Sequence, residues 1–275
     1  LKMIKVLLMG GLGNQFFQIA RAIELIDRSF DVELIFIGPR FDSLYRLTGH
    51  TKHDEWLDVN NLASNLKINC RSISLSEFLF LGFKFFVKKL GLVSSFDMNL
   101  DYLSEYKKNN SIVLDVGYFQ SIKHVSLNSV NKVAYGLIDL LLTQEIPTKE
   151  LSVFHIRGGD FINRDSEYIT SIDDVKDAIE SIENKTERIF VATNDEGFSN
   201  EIFRTLDIDF EISKLSPKDD FITIATAKNV FVSNSSFAFW AALCAKLAHR
   251  PIIFSLNSWP YFDFLPTLSN KTNET

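Results

Sequence analysis

The feature that most constrains the fold is a rhythm running from Leu151 to Phe254, in which short apolar runs alternate with segments of helical period. It predicts strands at Leu151 to Ile156, Arg188 to Thr193, Val230 to Ser233 and Pro251 to Phe254. Between them it predicts helices at Ile172 to Ile182, Ser199 to Leu206, Asp219 to Ala227 and Ser235 to Ala248. A short strand is expected at Phe210 to Ile212. Strands that alternate with helices of this length build a doubly wound parallel sheet, because each crossover covers a face of the sheet.

The same pattern starts the chain. Ile4 to Met9 is a continuous apolar run that stops at Gly10-Gly11, and Phe16, Phe17, Ile19, Ala20, Ile23 and Ile26 then follow helical spacing. Val32 to Ile37 reads as a second buried strand, ended by Gly38-Pro39. Phe41 to Asn110 reads as mostly helical; a strand returns at Ile112 to Val116, and a helix is expected over Leu127 to Leu142. Pro147 breaks that pattern and sets the predicted domain boundary, giving residues 1–147 and 148–275. The expected class is α/β with two Rossmann-type halves.

The 275 residues, 46% of them hydrophobic and 23% charged, suffice for a sizeable core. A net charge of -6 and a pI near 5.4 argue against a nucleic-acid partner, so an anionic ligand needs a local basic site. Cys70 and Cys244 form no C-x-x-C pair, which fits a reducing cytosol, and Leu1 to Met9 reads as a strand rather than a secretory signal. Leu75 to Leu92, rich in phenylalanine and carrying Lys84, Lys88 and Lys89, could lie in a membrane interface, line an acceptor groove or pack in the core.

Three loops that follow predicted strands carry candidate chemistry. In Gly10-Gly11-Leu12-Gly13-Asn14-Gln15, glycines permit a tight turn and Asn14 and Gln15 offer amides to a polar guest. A dinucleotide reading fails there, since Phe16 stands where the third glycine of G-x-G-x-x-G belongs. His155-Ile156-Arg157-Gly158-Gly159-Asp160 places an arginine fork beside two glycines at the carboxyl end of a strand, where a phosphate could be held bidentately. His155 alone is expected to point into the sheet layers. Ser233-Asn234-Ser235-Ser236-Phe237 opens a helix, and its run of small polar residues exceeds what a single N-cap requires, which suits a diphosphate. Asp207-Ile208-Asp209 has the D-x-D form of a metal-diphosphate site but reads as turn chemistry.

Taken in order, these segments resemble the α-1,2-fucosyltransferase family, glycosyltransferase family 11. Gly10 to Gln18 is similar to its opening motif, Gly117-Tyr118-Phe119-Gln120-Ser121 to its central motif, and His155 to Phe161 to its H-x-R-R-G-D-Y motif. Phe190 to Asp195 and Ser233 to Trp240 resemble its two later blocks. Gly158 departs from the family's second arginine, Phe161 from its tyrosine and Asn194 from its acid.

The resemblance implies a GT-B-like fold with a cleft between its halves, an acceptor-side first domain and a second domain that binds GDP-fucose. It also implies inverting transfer to a galactose hydroxyl without a metal or other cofactor. Arg157, Asp160 and His155 are then the catalytic set. Gly11, Gly13, Asn14, Gln15, Asn194, Asp195, Asn234, Ser235, Ser236 and Phe237 are the substrate-binding set. Asp160 could be the base or could only orient Arg157, and Asp195 is a further candidate base. The expected partners are GDP-fucose and a galactose-containing glycan, lipid-linked in bacterial O-antigen synthesis, with the protein cytoplasmic or peripheral on the inner membrane face. Two competing readings are an inactive nucleotide-sugar or glycan-binding module, motivated by Gly158, and a nicotinamide oxidoreductase resting only on the first glycine loop.

Overall fold

In a computed structural model, residues 3–36, 59–79, 113–115, 117–141, 149–159, 169–182, 188–249 and 252–255 are described. The chain divides into two compact units, one of Leu1–Phe119 with Lys123–Val130 and the other of Gln120–Ile122 with Asn131–Thr275. Pro147, the expected boundary, lies outside the described residues.

The first unit holds a parallel sheet of β1 (Met3–Leu8), β2 (Asp31–Phe36), β3 (Asn69–Ser72) and β4 (Val113–Asp115), in the order β3-β2-β1-β4. β1 is central, and Ile4, Val6, Leu7 and Leu8 are buried, as the continuous apolar run of a strand covered on both faces requires. Between β1 and β2 runs α1 (Leu12–Asp27), and α2 (Val59–Asn65) precedes β3. Within the stretch read as mostly helical, α2 is a helix as expected and β3 adds a strand that was not. Its sequence, Asn-Cys-Arg-Ser, has no apolar run; Arg71 is held against β2 by two hydrogen bonds to Glu33, at 2.9 and 3.0 Å.

α1 is buried along almost its whole length, including Gln18, Arg21 and Glu24. These polar groups are spent on the segment that follows β4. Gln18 donates to the Gly117 carbonyl at 2.7 Å and accepts from the Met9 amide at 2.8 Å. Arg21 pairs with Asp115 at 3.0 Å and donates to the His124 carbonyl at 2.8 Å. Glu24 accepts from the Ser126 amide and the Ser129 hydroxyl, both at 3.0 Å. Burial alone would raise the Glu24 pKa, but these donors and Arg28 hold it at about 2.

Of the Phe-rich segment only residues 75–79 are described, as a helical turn; Phe78 packs on the cluster of Leu7, Ile35 and Ile73, whereas Leu75 and Leu79 are exposed. The lysines at 84, 88 and 89 lie outside the described residues.

The second unit contains β5 (Lys149–Ile156), β6 (Arg188–Thr193), β7 (Glu211–Ile212), β8 (Ala227–Val232) and β9 (Ile252–Ser255), all parallel, in the order β7-β6-β5-β8-β9. Both sheets thus have the strand order of a nucleotide-binding α/β half, and the α/β class with two such halves is as expected. α3 (Leu127–Leu141) precedes β5; α4 (Ile172–Glu180), α5 (Glu196–Thr205), α6 (Pro217–Thr226) and α7 (Ser236–His249) follow in the predicted rhythm. On one face Phe154 of β5 stacks on Phe231 of β8 at 4.0 Å and meets Phe203 of α5 edge-on at 5.4 Å. α5 and α6 begin earlier than the apolar period indicates, because Asp195 and Ser216 accept the Phe198 and Asp219 amides as N-caps.

Candidate functional site

In a parallel sheet the loops after the strands emerge on one edge, and ligands bind where the order of connections reverses. In the second unit the chain passes from β5 outward through β6 to β7, then returns to place β8 on the other side of β5. The reversal therefore lies between β5 and β8. There His155 pairs in register with Val232, so Arg157 and Ser233 leave their strands side by side.

Ser233 joins the two loops. Its hydroxyl oxygen accepts the Arg157 backbone amide at 3.0 Å and lies 3.0 Å from His155 Nδ1, while its own amide donates to the His155 carbonyl at 3.2 Å. Ser233 is the first residue of the small polar run read from the sequence, though not one of the residues expected to bind substrate. The next turn is tight, with the Ser235 amide donating to the Ser233 carbonyl at 2.7 Å. Ser235 then caps α7, receiving the Ala238 amide on its hydroxyl at 3.5 Å. Ser236 is the first residue of α7, and Phe237 lies 5.9 Å from the His155 ring.

Asn234 is fully buried, and among the described residues neither end of its side-chain amide has a hydrogen-bond partner. A buried polar group left without a partner costs about 1–3 kcal/mol, so this amide needs a donor and an acceptor from outside the described residues.

The loop after β6 holds the loop after β5 from the other side. Asn194 Oδ1 accepts the Gly158 amide at 2.9 Å, and Asp195 Oδ2 accepts the Gly159 amide at 3.0 Å while Oδ1 caps α5. The Phe198 and Gly159 amides hold the Asp195 carboxyl below its ordinary range, so it stays ionised and positions backbone. Gly159 has a φ of 62°, in the left-handed region that favours glycine. At Gly158 the restriction is packing: a Cβ there would lie 2.6 Å from Asp195 Cβ. Gly158→Ala is therefore expected to displace Asp195 and destabilise the protein by about 1–3 kcal/mol. Calorimetry would show this as a lowered thermal midpoint; an unchanged midpoint would reject the packing argument.

His155 is buried, and burial followed by the charge of Arg157 lowers its pKa from 6.5 to about 3. It is neutral at pH 7, with Nδ1 against the Ser233 hydroxyl. An unfolded chain takes up a proton at this residue below about pH 6.5, whereas the folded one does so only near 3. Stability contributed here is thus lost as pH falls through that window. Urea unfolding should show His155→Gln losing less stability than the parent between pH 7 and pH 5. Equal losses would contradict a neutral histidine.

Asp160 lies outside the described residues. Gly10 to Gln15 belong to the first unit, where Gln15 donates to the Gly10 carbonyl at 2.9 Å and shapes the turn; Gly11 precedes α1 and Gly13 is buried within it. Asp207 adopts a φ of 51° and donates its amide to the Arg204 carbonyl just after α5, in keeping with turn chemistry.

Residues 117–251 match the model of glycosyl transferase family 11. This family 11 segment contains Arg157, Asn194, Asp195 and the whole 233–237 turn, whereas Gly10 to Gln15 precede it. The expected family is borne out over that stretch. No curated protein sequence matches the chain. Among solved structures it is similar to the E. coli ADP-heptose LPS heptosyltransferase II, at 12% identity over 98% of this chain and 89% of that one, with a TM-score of 0.43. It is also similar to the fucosyltransferase NodZ from Bradyrhizobium, at 13% identity over 87% and 91% of the two chains, TM-score 0.43. A third is POFUT1 in complex with GDP, at 13% identity over 92% and 98%, TM-score 0.46.

Proposed function

We propose that this glycosyltransferase moves L-fucose from GDP-β-L-fucose to the 2-hydroxyl of a galactose, with inversion and without a metal. The observation that carries the reading is the joining of Arg157 to the 233–236 turn by the Ser233 hydroxyl at the reversal point of the second sheet. When the bond between the fucose anomeric carbon and the β-phosphate oxygen breaks, its electron pair stays on that oxygen. The guanidinium of Arg157 and the amino end of α7 supply fixed positive charge for it. The acceptor oxygen forms the new bond on the opposite face of the sugar, and its proton passes to a carboxylate, for which Asp160 is the candidate. The α-1,2 linkage and the galactose acceptor rest on the motif resemblance.

The reading extends to synthesis of bacterial O-antigen or a related polysaccharide at the inner membrane face, on a lipid-linked acceptor. Among the described residues no helix is long and apolar enough to cross a membrane.

The deciding experiment incubates the protein with GDP-fucose and a panel of β-galactosides, with and without a chelator, and reads the linkage by NMR. An α-1,2 product that forms equally in both arms is expected. Abolition by the chelator would overturn metal independence. GDP binding without transfer to any galactoside would favour the inactive-module alternative motivated by Gly158.

A further inference from the structure

The two sheets share one connection pattern, so the first unit has its own reversal point, between β1 and β4. The loops that emerge there are Gly10-Gly11 and the segment around Gly117-Tyr118-Phe119. We propose that Tyr118 is the platform on which this unit holds a neutral pyranose ring. The choice of a sugar rests on the glycosyl-transfer reading; the placement rests on the structure.

Three observations put Tyr118 in that role. Its ring lies against the Gly10 turn: a Cβ at Gly10, where φ is 76°, would come within 3.1 Å of Tyr118 Cε1 and 3.5 Å of its hydroxyl. The residue is nevertheless 40% exposed, at the edge where parallel sheets take their ligands. Its neighbour is built to hold it there. Phe119 is 5% exposed, lies with Arg21 5.4 Å from its ring centre, and keeps a left-handed φ of 50°. A non-glycine residue in that region stores strain that only surrounding contacts maintain, and strain of this kind collects at ligand sites. Gln18 fixes the start of the same segment through the Gly117 carbonyl.

The chemistry of the edge selects the guest. Gly10, Gly11, Asn14 and Tyr118 are uncharged, and Arg21 beneath them is committed to Asp115 and the His124 carbonyl. A diphosphate would find no fixed positive charge among these groups. The apolar face of a sugar can cover the phenol ring while the ring hydroxyl and the amide of Asn14 meet its hydroxyls.

Saturation-transfer NMR on the full chain, with methyl β-galactoside and methyl β-glucoside as probes, tests this. The parent should pass magnetisation to at least one glycoside, Tyr118→Phe should retain the effect, and Tyr118→Ala should bind about tenfold more weakly or worse, as expected on losing a buried aromatic face. Circular dichroism checks that each variant is folded. GDP affinity, measured by calorimetry, should be unchanged in Tyr118→Ala and weakened in Arg157→Lys. Undiminished glycoside binding by Tyr118→Ala, no binding by the parent, or displacement of the glycoside by GDP would each overturn the proposal. Failure of fucosyl transfer in the parent alongside Tyr118-dependent glycoside binding would instead sink the transfer reading alone.

Discussion

Arg157→Lys is expected to lower fucosyl transfer by about 10²–10³-fold, the loss of about 2.7–4 kcal/mol that follows when one preorganised donor to a developing oxyanion is removed. Lysine keeps the charge but replaces a planar fork with a single flexible ammonium. The backbone amide of Arg157 remains bonded to Ser233 in either case, so the loop should keep its course and the thermal midpoint should hardly move. Steady-state kinetics with GDP-fucose, together with GDP calorimetry, separates a weakened donor complex from a slowed chemical step. Turnover equal to that of the parent would remove Arg157 from the phosphate site.

Arg21→Met is expected to be the most destabilising single change, costing about 3–5 kcal/mol. The substitution strands Asp115, which is 3% exposed and has its Oδ2 on Arg21, and also removes the donor to the His124 carbonyl. The double variant Arg21→Met with Asp115→Leu should recover much of the loss, since a buried charge without a partner is more costly than an apolar pair of similar volume. Urea unfolding of the parent, both single variants and the double variant measures this coupling. A single variant as stable as the parent would show that the pair is not needed.

The order of elements was legible because strands covered on both faces must be apolar and their covering helices must be amphipathic. Phe154, Val191 and Phe231, for example, sit in apolar runs whose burial the structure bears out. Helix starts were less legible: Asp195 and Ser216 open helices in polar stretches that precede any apolar period. β3 left no signal, for its polar residues take their strand conformation from β2 and from the pairing of Arg71 with Glu33. Nor does the helical period of α1 reveal that Gln18, Arg21 and Glu24 are buried. Their partners lie about a hundred residues ahead, a separation that no local pattern encodes.

At the site, Arg157 and the 233–236 run stood out because strand ends followed by small residues are where backbone comes close to ligands. The roles of Asn194 and Asp195 were not legible as they stand in the fold. Besides the substrate-binding role expected of them, they hold the amides of Gly158 and Gly159. Tyr118 lay within a quoted motif, yet only the fold shows it beside Gly10.

Gly158 and Asp195 compete for one small volume. With only 2.6 Å between a would-be Cβ and the opposing carbon, a side chain at 158 and the present place of Asp195 are incompatible. An arginine introduced at position 158 of this chain should therefore push Asp195 off the Gly159 amide and off the amino end of α5.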